Sequence, residues 1–187
     1  MGRGAKTAIG IGAVVLILFI MLVNPYNTLV NLEEAVKQAQ DNINADLQRR
    51  LDLIPNLVAT VKGYASHERE TLEAVIKARS KATGAANLQE KFAANQALSS
   101  ALSRLLVVVE RYPQLKADRN FRALQDQLEG TENRINVSRK RYNQAVKEYN
   151  TAIRRFPTVL IARLLGFQPK QGFQAAAEAK TAPKVKF

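Results

Sequence analysis

The chain's only histidine, His67, stands beside Glu68 and is the first residue to test for catalysis. Histidine carries protons near neutral pH, and a neighbouring carboxylate can orient its ring. Residues adjacent in a helix point in different directions, however. The stretch "HERE" also lacks the second histidine of the zinc-binding H-E-x-x-H pattern. We interpret His67 as a solvated residue at a junction between helices, with Ser66 as the helix cap.

Two other patterns suggest chemistry less strongly. Lys62 and Gly63 resemble the end of a phosphate-binding loop, but position 58 holds valine instead of the glycine that such a loop requires. Glu129 and Glu132 share one helical face and could hold a metal, although a nearby arginine favours an ion-paired surface. The chain has no cysteine, which excludes thiolate metal sites. We predict no catalytic, cofactor-binding or metal-binding residues, and therefore a protein that is not an enzyme.

The composition predicts the elements that carry these residues. Glycine and proline are scarce, with 9 and 6 residues among 187, while Ala, Leu, Gln, Lys, Arg and Glu are abundant. These abundant residues are the strongest helix formers. We therefore predict an all-α protein, with an N-terminal transmembrane helix followed by an elongated antiparallel four-helix bundle.

The uncharged stretch from Thr7 to Tyr26 predicts the membrane anchor. It follows a basic terminus at residues 1–6, and about 20 helical residues cross a hydrocarbon core. A cleaved signal peptide is the alternative, but no small-x-small cleavage site follows the apolar run. The positive charges before the anchor predict a cytoplasmic N-terminus in a bacterial inner membrane, with a single span and the bundle outside the cytoplasm. A cytoplasmic bundle is the alternative.

Apolar residues at steps of three or four predict a helix from Leu32 to Val61. The residues between them, Arg49 and Arg50 included, are expected to form its solvated face. Pro55 predicts a kink in this helix or, alternatively, the first turn of a new one. A second helix is predicted from near Glu70 to a turn at Gly84, and a third one follows until Pro113 ends it.

A fourth segment has a regular heptad period. Large apolar residues recur every seven positions beside a row of mostly small residues, as in a coiled coil, which predicts a long packing seam and a close neighbouring helix. The large residues are Phe121, Leu128, Ile135, Tyr142, Tyr149 and Phe156.

The segment 157–168 predicts a short amphipathic helix opened by Pro157. Apolar residues on one face and arginines around them are typical of a helix lying in a membrane interface. Docking on a neighbouring subunit or capping of the bundle are the alternatives. The predicted contact residues are Arg154, Arg155, Val159, Leu160, Arg163, Leu164 and Phe167. The tail 169–187 has low complexity, and alone it is expected to be disordered.

The net charge of +12 predicts an acidic partner. Nucleic acid is not expected, because an exported domain would rarely meet it and because the tyrosines fall on the packing seam. Anionic lipid headgroups are the more accessible partner.

Several stretches make the sequence resemble the LemA family over nearly its whole length after the anchor. They are "YNTLVNLEEAVKQA", "LQRRLDLIPNLVATVKGYASHE", "ERYPQLKADRNFRALQDQLEGTENRI", "RKRYNQAVKEYNTAIRRFP" and "LLGF". The resemblance implies a four-helix bundle over 27–156 behind one N-terminal membrane segment. It also implies an association with bacterial envelopes or magnetosome membranes, and no enzymatic activity, cofactor or catalytic residue.

We therefore hypothesise a membrane-anchored scaffold that self-associates and organises the envelope or membrane partners. The alternative is an adaptor or regulator of another membrane protein, such as a quality-control protease or a signalling protein. A hydrolase that uses His67 is the third hypothesis, and indifference of function to His67→Ala would exclude it.

Overall fold

The structure, a computed structural model, describes residues 2–173 apart from the side chains at 3, 5–10 and 13–21. Within this part of the chain the all-α prediction is confirmed, with six helices and no strand. Two compact units are present: a first unit of Met1–Gln40 with Lys140–Phe187, and a second unit of Asp41–Arg139. The helices are α1 (Arg3–Tyr64), α2 (Arg69–Thr83), α3 (Leu88–Val109), α4 (Pro113–Ala117), α5 (Arg119–Ala152) and α6 (Thr158–Leu165).

Helix α1 continues through Pro55, so the interpretation of Pro55 as the start of a new helix is wrong. A proline has no N–H to donate to the carbonyl four residues earlier, here that of Leu51. The Nε of Arg79 in α2 donates to this carbonyl oxygen instead, at 2.9 Å. Because a side chain replaces the missing backbone donor, the helix can pass through the proline.

The second unit has a continuous apolar core built from α1 to α5. Helices α2 and α3 pack against each other after a turn at Gly84, as predicted. Asn87 then caps α3, because its side chain accepts the Glu90 N–H at 2.9 Å. The largest fully buried side chains of this core are Ile54, Leu57, Val61, Val75, Leu98, Leu105, Leu115 and Phe121.

The heptad seam ends earlier than predicted. Helix α5 ends at Ala152, and two turn hydrogen bonds follow, from Arg154 N–H to Thr151 and from Arg155 N–H to Ala152. Phe156, the last predicted seam residue, lies beyond the helix and is 73% exposed. The prediction for Phe156 is wrong because a proline follows it, which disfavours a helical conformation at the preceding residue.

Among the described residues, one helix, α3, is long and apolar enough to cross a membrane. Seven of its residues are buried in the second unit, as in the core helix of a folded domain. The predicted anchor at 7–26 is helical as part of α1, but most of its side chains lie outside the described residues. The anchor and the antiparallel four-helix order therefore stay predictions, and residues 174–187 lie outside the described part of the chain.

Candidate functional site

Helix α6 follows the end of α5 in the first unit and shares a cavity with Thr28 of α1. Pro157 precedes α6, and the Val159 N–H donates to the Arg155 carbonyl at 2.8 Å. Gly166 ends the helix at φ 75°, a left-handed conformation that favours glycine. The helix is thus shorter than the predicted range 157–168. Among its described side chains, the buried ones are Leu29, Val36, Tyr142, Val146, Tyr149, Ile153, Ile161 and Ala162.

Only one face of α6 is buried, and it is not the predicted contact face. Ile161 and Ala162 point into the first unit. Of the predicted contact residues, Leu160 is 60% and Leu164 is 78% exposed, whereas Val159 and Phe167 are half-buried. We name the exposed apolar side chains the α6 surface: Phe156, Leu160, Leu164 and Leu165. Several exposed apolar side chains on one short segment commonly mark a protein or membrane contact.

Helix α6 lies beside the end of the predicted anchor. The Phe167 ring meets the Tyr26 ring edge to face, with centroids 6.4 Å apart and an interplanar angle of 68°. Thr28, two residues further along α1, lines a cavity of about 550 Å³ together with Phe156 and Thr158. Tyr26, the last residue of the predicted anchor, and Thr28 after it therefore lie near the segment that contains α6, within one unit.

The three predicted arginines, Arg154, Arg155 and Arg163, are exposed. Within the described residues none of them forms an ion pair. Lys170 behaves differently, because its Nζ lies 2.7 Å from Glu33 Oε1 and 5.7 Å from the Tyr149 ring centroid. The hydrogen bond to Glu33 raises the pKa of Lys170. Lys170 thus fixes the chain after α6, whereas the arginines remain available.

A segment after α6, residues 168–173, is held on α5 by two asparagines. The Asn150 side chain accepts from the Lys170 N–H at 2.9 Å and donates to the Lys170 carbonyl at 2.8 Å. Asn143 binds the backbone of Phe173 in the same way, at 2.7 Å and 3.0 Å. We name residues 168–173 the strap. The expectation of disorder is wrong for residues 169–173, because these backbone groups have specific partners.

Two tyrosines complete the attachment of the strap. The Tyr149 hydroxyl donates to the Gln168 carbonyl and the Tyr142 hydroxyl to the Gln171 carbonyl, each at 3.1 Å. The sequence contains a signal for this attachment, since the dipeptide Tyr-Asn occurs at 142–143 and again at 149–150. The heptad interpretation assigned the tyrosines to packing alone. Burial raises the pKa of both tyrosines, so the hydroxyls remain donors at neutral pH.

The other candidate residues for chemistry are separated. His67 is exposed in the turn before α2, while Glu68 accepts from the Tyr112 hydroxyl at 2.9 Å and from Arg111 at 3.0 Å. The predicted cap at Ser66 is wrong, because Glu68 is the N-cap residue of α2 and makes no side-chain cap. No group of three or more potential ligands among His, Cys, Asp and Glu is placed to hold a metal within the described residues.

Arg50 was expected on a solvated face, but it is only 4% exposed in the second unit. It donates to Asn95 Oδ1 at 2.8 Å and pairs with Glu132, one of the two glutamates considered for a metal. Burial lowers the pKa of Arg50, and the charge of Glu132 opposes that shift. A neighbouring groove of about 420 Å³ is lined by apolar residues of α1, α3 and α5, with Glu129 and Glu132 also in its wall.

Comparison with known proteins places this arrangement in a family. The chain is 28% identical over 201 residues to the magnetosome protein MamQ of Magnetospirillum gryphiswaldense, covering 92% of this chain and 74% of that protein. It is also 28% identical over 203 residues to the magnetosome proteins MamQ 1 and MamQ 2 of Paramagnetospirillum magneticum, covering 93% of this chain and 74% of each relative. The sequence profile of the LemA family matches residues 39–187. The chain therefore belongs to the LemA family, as its sequence stretches predicted.

Proposed function

We propose that this protein is a non-enzymatic, membrane-anchored scaffold whose α6 surface lies on the bilayer. Residues 7–26 form the single span, and the helices that follow form an antiparallel four-helix bundle. The observation that carries the proposal is the ring contact of Phe167, two residues after α6, with Tyr26 at the end of the proposed span, together with the exposed α6 surface. A helix held there meets the membrane surface as soon as the span is inserted.

The side chains of α6 suit an interfacial position. Leu160, Leu164 and Leu165 are more than half exposed on a helix of only eight residues. Burying one such side chain in an apolar medium contributes about 1.5–3 kcal/mol. Arg163 can place its charged group among headgroups while its aliphatic stem lies along the apolar layer. Tyr26 fits the same level, because aromatic rings favour the membrane–water interface.

A span and an interfacial helix together fix the bundle at the membrane at two points, which suits an organising role. We propose that the protein self-associates and gathers envelope or membrane partners around it. The relatives named magnetosome proteins support a membrane setting for this function. The proposed location is the bacterial inner membrane, with a cytoplasmic N-terminus and the bundle on the other side.

The chain has no tryptophan, which allows a direct test of the α6 contact. Full-length Leu164→Trp and, as a matched control, Val107→Trp would be reconstituted in vesicles that contain brominated phosphatidylcholine. Val107 is 72% exposed in the second unit, close to the 78% of Leu164. We expect bromine to quench the tryptophan of Leu164→Trp and to leave that of Val107→Trp bright. Equal quenching of the two would overturn the α6 contact.

Self-association is tested separately by the mass of the full-length protein in mild detergent, measured by light scattering. A large, defined homo-oligomer is the expected result. A chain starting at Tyr26 is the comparison, and we expect it to form smaller assemblies because it lacks the span. Monomers in both preparations would remove self-association from the proposal.

The second candidate function is that of an adaptor for another membrane protein. The groove beside Arg50 favours it, because Leu102, Leu106 and Leu128 line an open apolar wall next to two glutamates. An amphipathic helix with basic residues would complement such a groove. Stoichiometric co-purification of a different chain, lost in Leu106→Glu, would support the adaptor over the scaffold.

A further inference from the structure

A basic groove lies at the end of α5. It has a volume of about 610 Å³, and its lining contains three cations and no acidic residue. Lys147 and Thr151 lie four residues apart on one face of α5, and Arg154 and Arg155 follow in the turns after the helix. The lining residues are Lys147, Asn150, Thr151, Arg154 and Arg155.

The cations of this groove have no protein partner in the described part of the chain, unlike several others. Lys170 pairs with Glu33, Arg111 with Glu68 and Arg50 with Glu132. The neutral residues of the groove are already engaged. Asn150 binds the strap, and the Thr151 hydroxyl donates to the Lys147 carbonyl at 2.7 Å. Contacts to a ligand would therefore come from the three cations.

Stabilisation of the helix end does not account for all three charges. The C-terminus of a helix carries about half a negative charge, which attracts one cation within the last turn. Lys147, Arg154 and Arg155 place three positive charges in one groove at this end. The positive charge beyond that of the one cation that the helix end attracts favours the binding of an anion. Arginine suits a phosphate because its planar fork can donate two parallel hydrogen bonds, and lysine adds a point charge.

The groove adjoins the α6 surface. The groove shares three lining residues with the cavity beside Thr28 and Phe156: Lys147, Thr151 and Arg155. If the α6 surface lies in the apolar edge of the bilayer, the groove stands at the level of the headgroups. This step rests on the proposed function, because the bilayer position of α6 places the groove beside lipid phosphates.

We propose that Lys147, Arg154 and Arg155 form a binding site for the phosphate of an anionic phospholipid in the bilayer. The scaffold then selects the lipids around its anchor as well as inserting among them. Basic residues near a membrane surface attract anionic lipid, and three of them in one groove concentrate this attraction at one place.

The test uses full-length Leu164→Trp in vesicles that contain brominated lipid at one fixed mole fraction. In one set the brominated lipid is phosphatidylglycerol, and in the other it is phosphatidylcholine. We expect about threefold more quenching by phosphatidylglycerol, because the groove enriches anionic lipid near the probe. The added substitutions Lys147→Gln, Arg154→Gln and Arg155→Gln should reduce this ratio to about one. Quenching by phosphatidylcholine should stay unchanged.

A matched control removes the same charge elsewhere on α5, through Arg139→Gln, Lys140→Gln and Arg141→Gln. The lipid ratio should persist in this control, and its loss there would overturn the site in favour of a general charge effect. Loss of the ratio in excess inorganic phosphate, but not in sodium chloride of equal ionic strength, would show a site for free phosphate instead. Equal quenching by both lipids overturns the groove alone, whereas no quenching by either overturns the α6 contact itself.

Discussion

The two units of this protein use different kinds of stabilisation. The second unit is held by an apolar core from five helices, and its buried cation, Arg50, has an amide and a carboxylate as partners. Among the described side chains, the first unit buries fewer apolar ones, and it attaches its last described segment through asparagine and tyrosine side chains. In the first unit the α6 surface and three cations have no partner among the described residues, and in the second unit the groove beside Arg50 and the side chain of Val107 are exposed.

This difference suggests that the two units have different roles. A large apolar core contributes stability in proportion to the area that it removes from water. Exposed leucines and unpaired arginines contribute nothing comparable until another surface meets them. The first unit therefore has the features of a contact region, and the second those of a stable body. Substitutions in the two regions should differ accordingly.

The largest expected effect is that of Phe121→Ala in the second unit. Phe121 is 1% exposed, and truncating a buried phenylalanine lowers the free energy of unfolding by about 3–5 kcal/mol. Phe156→Ala is the matched control, because both residues belong to the heptad pattern and Phe156 is 73% exposed. We expect the control to change stability by less than about 0.5 kcal/mol. Urea unfolding followed by circular dichroism measures both, and equal losses would contradict the contrast.

Arg50→Met should have the next largest effect. Breaking a buried ion pair costs about 3–5 kcal/mol, but the side chain of Glu132 is 39% exposed and can regain water. We therefore expect a loss of about 2–3 kcal/mol, again from urea unfolding. Combining Arg50→Met with Glu132→Gln should recover part of that loss. Arg134→Met, at an exposed arginine, serves as the control, and a similar loss there would refute a special role for Arg50.

Phe156 and Arg50 show which features of the fold could be predicted from the sequence and which could not. Apolar periodicity predicted all-α structure and the approximate bounds of α2 and α3, because burying one face is what fixes a helix. The same reasoning extended the seam to Phe156, since periodicity contains no information about a following proline turn. It also placed Arg50 on the solvated face, because burial of a cation depends on partners far away in sequence, here Asn95 and Glu132.

The candidate site was predicted in part. The sequence of 157–168 predicted a short amphipathic helix, and α6 forms over Thr158–Leu165. Its predicted membrane or subunit contact stays a prediction. Its position beside Tyr26 could not be predicted, because it depends on how many times the chain reverses direction. The strap was missed for a different reason. Hydrogen bonds from side chains to a distant backbone leave no periodic signal, and only the repeated Tyr-Asn pair pointed to them.

Asn150→Ala should have a smaller and local effect in the first unit. It removes both hydrogen bonds to Lys170, and together these contribute about 1–2 kcal/mol. The loss should appear as faster amide hydrogen exchange in the strap, with the core of the second unit unchanged. Asn133→Ala, at an exposed asparagine on the same helix, is the control. Uniformly faster amide hydrogen exchange in both units would contradict a local effect on the strap.

The smallest expected effect concerns pH and the start of α5. Hydrogen bonds from the Phe121 N–H and the Tyr64 hydroxyl lower the pKa of Asp118 from its ordinary value. A carboxyl group whose pKa is lower in the folded state than in the unfolded state stabilises the fold at pH values above its unfolded-state pKa. This stabilisation is lost as the pH falls through the folded-state pKa. The substitution Asp118→Asn should therefore lower the melting temperature at neutral pH. Its difference from the melting temperature of the unsubstituted protein should become smaller at acidic pH. A difference that stays constant down to about pH 2 would contradict this linkage.

The strap is held largely through its main chain, and the side chains of Lys170 and Phe173 add contacts to Glu33 and Tyr142. Backbone carbonyls and N–H groups are common to nearly all residue types. The hydrogen bonds from the α5 tyrosines to the carbonyls of Gln168 and Gln171 therefore do not depend on the side chains at these two positions. Gly172 is an exception, because a β-carbon there would lie 3.1 Å from Asn143 Oδ1. Apart from Gly172, Lys170 and Phe173, whose ring centroid lies 5.0 Å from that of Tyr142, the segment should tolerate substitution, and a foreign peptide of equal length that keeps these three residues could be grafted in its place.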